Sequence, residues 1–504
     1  MCLALAAAVS AAFVWFCQTR GYTLYYGDAA SHMNIARRLT DSRNPGYEQL
    51  GTVWLPLPHV LMGALARDEK LWRSGLAGAI PAAAGYVAAV VFLFAAVRRA
   101  TGSRAGAITA AGALGLNPNL LYMQSTPMTE PIFLGTFTAA CYCAVRFADG
   151  ARLRWAAGAG LAVLAGTLTR YDAWFALPFF ALFFAVSRRW AAAVVFAAVA
   201  GLGPAYWLAH NQYLYSDALE FYRGEHSPQA IHRRGLERGF SRHPGEQDLA
   251  AAWRYYRHAM ELAIGRPLVW AAAAGLALAL ARRPSRALAL LALPVPFYVL
   301  SIRSGGTPLF LPDLHPYSYY NTRYALAALP ACAAAAGVLA GVVGEALGEA
   351  LPRLALRGLV AAGILAAGLG GWVMRPSVES WICWRESEVN SLGRRAWTAQ
   401  AAEFFRRAYR PGDGVLTASG DVLAVYQQAG IPLRETLNDG YGPAYLPAIA
   451  RPDLFLRERW VVCRAGDAMS FLLANPKRYA HLAERVAQFT ADREPVIEVY
   501  RKLP

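Results

Sequence analysis

The chain has 504 residues, is 56% hydrophobic and carries a formal charge of +16. Its mean hydropathy of +0.27 is too high for an ordinary water-soluble domain, and the apolar residues are bunched into runs. The positive balance is therefore not read as a nucleic-acid signal, because part of it lies in short loops between apolar runs.

In chain order, uncharged runs occur at Met1–Thr19, Gly75–Val97, Ala105–Met123, Pro131–Val145, Trp155–Thr169, Ala173–Ser187, Trp190–Ala209, Leu268–Ala281, Ala287–Ile302, Tyr324–Gly344 and Gly358–Met374. Most approach the roughly 20 residues that cross a hydrocarbon core. Backbone at that depth must satisfy its own hydrogen bonds, so each run is expected to be helical. The sequence thus predicts a mainly α, polytopic protein with about eleven membrane helices over 1–374. A soluble α/β domain is expected over 375–504.

Loop charge orients these helices. Arginines cluster at Arg98, Arg99 and Arg104; at Arg146, Arg152 and Arg154; at Arg188 and Arg189; at Arg282, Arg283 and Arg286; and at Arg353 and Arg357. They occupy every second short loop, which the positive-inside rule makes cytoplasmic. The opposite face then carries Arg20–Leu71, Pro118–Thr129, the Arg170–Asp172 corner, His210–Arg266, Arg303–Arg323 and all that follows Met374. A bacterial inner membrane with an extracytoplasmic tail is the implied setting. Anionic headgroups are natural partners for the remaining charge.

Three outer stretches are long. In Arg20–Leu71, Ala29–Thr40 reads as a short amphipathic helix, and "WLPLPHVLMGALA" (Trp54–Ala66) as interfacial or re-entrant. In His210–Arg266, "WRYYRHAMELAI" (Trp253–Ile264) has the aromatic-basic character of an interfacial helix. In the tail, Gly414–Ser419, Arg459–Ala465 and Pro495–Lys502 read as strands. Ala401–Arg410 and Pro476–Phe489 read as helices, an alternation that suggests an α/β domain. No P-loop or Gly-x-Gly-x-x-Gly occurs. The seven cysteines show no zinc spacing. Cys17, Cys141, Cys143 and Cys332 lie in apolar runs, as does Cys2, and Cys383 and Cys463 lie in the tail, either bridged or buried as separate thiols.

The apolar runs hold no ionisable residue, unlike the mid-membrane charge pairs usual in transporters. Candidates gather instead at helix ends on one face: Asp28, His32, His59, Glu130, Arg170, Asp172, His315 and Arg323. Asp28 reads either as the N-cap of the Ala29–Thr40 helix or as a general base for an acceptor hydroxyl. Glu130 precedes Pro131 at a helix start, where the macrodipole favours an acid, yet a carboxylate beside the bilayer is costly. Arg170 and Arg323 read either as snorkelling residues or as forks for a phosphate held at the interface. His32 and His59 are candidate phosphate or metal ligands. A divalent cation held by Asp28, His32 and Glu130 is left open.

The outward Asp after the first helix, the amphipathic helix behind it, the "PLPH" segment and the second acid resemble the GT-C class of membrane glycosyltransferases. "GLAVLAGTLTRYDAW" (Gly160–Trp174) and "YYNTRYALAALP" (Tyr319–Pro330) are similar to the bacterial relatives of protein O-mannosyltransferases and aminoarabinose transferases. The resemblance covers roughly residues 1–344. It implies transfer of a sugar, with inversion, from a polyprenyl-phosphate donor to an acceptor hydroxyl or amine. In it, Asp28 matches the catalytic base, Glu130 the acid of the second outer loop, and Arg323 a position near the donor phosphate. Arg170, His32 and His59 join Arg323 as candidates for that phosphate. A lipid-linked sugar flippase and a non-catalytic envelope scaffold are the alternatives weighed.

Overall fold

A computed structural model describes residues 1–187, 190–348, 353–417, 422–475, 479, 481–492 and 494–504. The chain divides into two compact units. The first comprises Met1–Gly21, Thr52–Pro58 and Ala79–Glu386, and the second Tyr22–Gly51, His59–Gly78 and Ser387–Pro504. The second unit is thus assembled from two early stretches and the tail.

Most described residues are helical. Eight helices are long and apolar enough to cross a membrane: Cys2–Thr19, Leu76–Thr101, Glu130–Gly150, Trp190–Tyr215, Leu249–Ala281, Ser285–Arg303, Thr322–Leu347 and Arg357–Met374. Three of the eleven predicted runs fall short of that length for visible reasons. Ala105–Met123 is broken after Gly115, where Asn117 accepts a bond from Leu120 N and restarts the chain as a six-residue helix at Pro118. Leu153–Thr167 and Asp172–Val186 are 15 residues each, separated by the Arg170 corner. Pro56–Leu65 is a ten-residue apolar helix, too short to span, in line with its interfacial or re-entrant reading. The Trp253–Ile264 stretch is not a separate interfacial helix. It is the first part of one helical run, Leu249–Ala281, which passes through a π turn at Glu261–Gly265. Arg188 and Arg189 lie outside the described residues.

Small residues let the helices of the first unit approach closely. Leu329–Gly348 packs on both Arg266–Ala281 and Arg104–Gly115. A Cβ on Gly275 would collide with the carbonyl oxygen of Ala335, and one on Gly106 with that of Gly337. These are backbone atoms, so no side chain can yield. Gly275→Ala should therefore destabilise the protein by about 1–3 kcal/mol, the usual range for overpacking. The melting temperature of the detergent-solubilised variant checks this, and an unchanged value would show that the helices can slide apart without loss.

The second unit contains a five-stranded sheet: β1 (Val415–Thr417), β2 (Thr436–Leu437), β3 (Trp460–Arg464), β4 (Ala483–Phe489) and β5 (Ile497–Lys502). Their order is β2-β1-β3-β5-β4. β1 runs parallel to both neighbours, whereas β5 runs antiparallel to β3 and β4. Its core joins Leu416, Leu437, Val461, Met469, Leu473 and Tyr500. β1, β3 and β5 fall inside the predicted strands, although Ser419 lies outside the described residues. Ala401–Arg410 belongs to a longer helix, Ile382–Ala408. Helix Pro476–Phe489 is a misreading. Residues 483–489 form strand β4, whose outer residues are exposed at the sheet edge, and residues 476–478 and 480 lie outside the described residues. The helical period of "AHLAERVAQF" gives way because pairing with β5 satisfies that backbone instead. All seven cysteines are free thiols, Cys383 and Cys463 being separately buried.

The early stretches of the second unit are tied in by polar contacts. Arg37, in helix Gly27–Arg38, donates to Asp41 Oδ2 at 2.8 Å and to the carbonyls of Ala66 and Arg67 at 2.8 and 2.9 Å. Asp41 also accepts from Arg434 Nη1 at 3.0 Å. Gln427 donates to the carbonyl of Trp72 at 2.8 Å, Arg73 to that of Gln428 at 2.9 Å, and Arg43 to Glu458 at 2.6 Å.

Candidate functional site

The first unit buries a cluster of charge. Glu130 opens helix Glu130–Gly150 with Pro131 beside it in the first turn, so the helix start fixes the carboxylate with few degrees of freedom. Its Oε1 accepts from Arg170 Nη1 at 3.0 Å and from Arg323 Nε at 3.1 Å. Oε2 is buried without a donor among the described residues.

Arg170 sits in the corner between helices Leu153–Thr167 and Asp172–Val186. All three of its guanidinium nitrogens are engaged: Nε with Asp172 Oδ2 at 3.3 Å, Nη1 with Glu130 and with Thr129 Oγ1 at 3.1 Å, and Nη2 with Tyr298 OH at 2.7 Å. Arg323, in the 3-10 turn Thr322–Ala328, also gives Nη1 to Glu386 Oε1 at 3.3 Å. The Tyr324 ring lies 5.1 Å from the Arg170 guanidinium and 5.0 Å from that of Arg323. Tyr298 stacks on Tyr324 at 5.2 Å, and Tyr256 on Tyr298 at 5.5 Å. A planar, weakly hydrated guanidinium suits such a bed of aromatic faces.

Glu130, Asp172, Arg323 and Glu386 are each at most 6% exposed, so water compensates little of their charge. Three carboxylates face two guanidiniums. Burial pushes the Glu386 carboxyl above its usual range, while Arg323 and donors from Thr322 and Asn321 pull the other way. Those donors are close: Asn321 N at 3.0 Å, Thr322 N at 2.6 Å and Thr322 Oγ1 at 2.5 Å. Buried charges persist only when paired and hydrogen-bonded in this way.

The structure therefore brings together Glu130, Arg170 and Arg323 of the predicted site, with Asp172. Glu386 was not singled out in the sequence. It follows the last apolar run, in "SWICWRESE", a place that reads as the start of the tail. Its only signal is an acid that follows two tryptophans, Trp381 and Trp384, just beyond a membrane span.

Asp28, His32 and His59 belong to the second unit. Asp28 lies inside helix Gly27–Arg38, in its first turn, and the N-cap is Tyr26 with no side-chain cap bond. The N-cap reading of Asp28 is thus corrected: the helix begins two residues earlier than Ala29. His32 Nδ1 and His59 Nε2 are 2.8 Å apart and buried. One ring must be neutral to accept that bond, so the two histidines spend a nitrogen each on one another. Among the described residues no group of three or more His, Cys, Asp or Glu side chains is placed to hold a metal ion.

The family model for dolichyl-phosphate-mannose-protein mannosyltransferase matches residues 71–207. No curated protein sequence matches the chain. Among solved structures, ArnT from Cupriavidus metallidurans bound to undecaprenyl phosphate is similar with a TM-score of 0.62 at 15% identity, over 98% of this chain and 97% of that one. The apo form of the same protein gives 0.59 at 14% identity, over 97% of each chain. The chain thus shares the fold of ArnT over almost its whole length, and in residues 71–207 it is similar to the dolichyl-phosphate-mannose-protein mannosyltransferase family.

Proposed function

We propose that the protein is a membrane glycosyltransferase. It would move a hexosyl or pentosyl group from a polyprenyl-phosphate donor to an acceptor hydroxyl or amine, with inversion. The observation that carries this reading is the pair of arginines, Arg323 buried and Arg170 part-buried, held by carboxylates over Tyr324 in a fold like that of ArnT. A lipid-phosphate leaving group needs cationic stabilisation rather than an acid, because the phosphate departs already charged. Guanidiniums fixed in advance supply that stabilisation without reorganising during the reaction.

In this scheme Arg323 and Arg170 neutralise the donor phosphate, and Arg170 exchanges one of its present partners for a phosphate oxygen. Glu130 orients both arginines through Oε1, and its Oε2 takes a hydroxyl of the bound sugar. Asp28 is the base, assigned on the resemblance and on its placement in the first turn of its helix. His32 and His59 remain candidates near the phosphate, and a divalent cation is not required by the scheme. Release of undecaprenyl phosphate from a panel of undecaprenyl-phosphate-linked sugars by the reconstituted protein tests the reading. No release with any sugar, in the presence of lipid, glycan and peptide acceptors, would reject it.

The sidedness belongs to the same proposal: eleven crossings of a bacterial inner membrane, the arginine-rich short loops inside and the soluble α/β tail outside. The eight long spans and the additional short apolar helices support the crossings, and the arginine clusters in alternate short loops support the orientation. A phosphatase reporter, which works only outside the cytoplasm, should be active when fused after Met374 and inactive when placed between Arg282 and Arg286, inside. The reverse at either place would overturn the orientation.

A further inference from the structure

A second polar site lies away from the buried cluster, in the stretch between the spans Trp190–Tyr215 and Leu249–Ala281. A cavity of about 400 Å³ is lined there by Tyr222, Arg223, Gln229, His232, Arg233 and the Ser304–Gly305 turn. Arg223 and Arg233 are exposed, and neither guanidinium has a hydrogen-bond or ion-pair partner among the described residues. Their neighbours differ. Arg234 pairs with Glu225 at 3.6 Å, Arg242 with Glu246 at 3.5 Å, and His232 with Glu246 at 3.3 Å. The local acids are thus partly used up by residues that do not carry the cavity's cationic side.

The cavity is shaped by backbone as well. Gly305 has φ +76, and a Cβ there would stand 3.2 Å from His232 Nε2 and 3.4 Å from the Glu246 carboxyl carbon. The left-handed backbone at Gly305 favours glycine, and a Cβ there would press His232 back by a few tenths of an ångström. Two guanidiniums offer a fork geometry that matches a dianion better than a single carboxylate. The half-exposed Tyr222 ring and the Gln229 amide can take a polar body attached to it.

We propose that this cavity binds a phosphate monoester, held by Arg223 and Arg233. The proposal goes beyond the transfer reaction and does not depend on it. The monoester is carried either by a lipid headgroup or by a soluble sugar phosphate. Native mass spectrometry of the detergent-solubilised full chain separates these sources, using short-chain phosphatidic acid in one titration and glucose 1-phosphate in another. Retention of one or both probes is expected, the retained one naming the source. Arg223→Gln with Arg233→Gln should weaken it at least tenfold with an unchanged melting temperature. If the wild-type chain retains neither probe at millimolar concentration, or the double variant retains them equally well, the proposal is wrong.

Discussion

Arg323→Ala is expected to lower the unfolding free energy by about 3–5 kcal/mol, the usual loss when one partner of a buried ion pair is removed. The side chain now donates to Glu130 at 3.1 Å and to Glu386 at 3.3 Å. Its removal leaves Glu386 without its guanidinium in a place water does not reach, and leaves Glu130 with Arg170 alone. Arg323→Met combined with Glu386→Gln should recover part of the loss, because replacing a buried pair by neutral groups is often close to neutral in free energy. Chemical denaturation of the detergent-solubilised variants measures both. A single variant as stable as the wild type would mean that the cluster's Coulombic gain merely balances its desolvation.

Asp28→Asn should reduce turnover by about 10²- to 10⁴-fold, the range for loss of a general base. The fold should survive. Asp28 stands in the first turn of its helix and does not cap it, and its macrodipole contribution there is about 1 kcal/mol or less. Asparagine keeps the size and shape of aspartate and its hydrogen-bonding oxygen but cannot take a proton as a base does. Release of undecaprenyl phosphate, read beside the melting curve, separates chemistry from folding. Near-normal release would deny Asp28 the role of base.

The membrane spans were legible because their signal is compositional and long: Leu76–Thr101 and Thr322–Leu347 stand out without knowledge of any partner. The helix ends that carry Glu130, Arg170 and Arg323 were legible for a related reason. A charge at the end of an apolar run is rare enough to notice. What those charges touch was not legible, because Glu386 reaches Arg323 across more than 60 positions of sequence, and no local pattern encodes such a pairing. Tyr298 and Tyr324 were hidden for the opposite reason: inside apolar runs an aromatic looks like lipid-facing or core packing. The edge strand β4 was misread because its six-residue register with β5 is set by tertiary pairing, while "AHLAERVAQF" has a helical period of its own.

The second unit also sets a timetable for synthesis. More than 300 residues separate residue 78, the end of its early stretches, from residue 387, where the rest begins. At about 5–20 residues per second, the ribosome needs about 15–60 s to bridge that interval. For that time Asp41, Arg43, Trp72 and Arg73 have emerged, but Arg434, Glu458, Gln427 and Gln428, which they meet in the finished unit, do not yet exist. A chain that ends soon after its last span is therefore not a catalytic core short of an appendage. It is a chain whose first soluble helices never receive their partners.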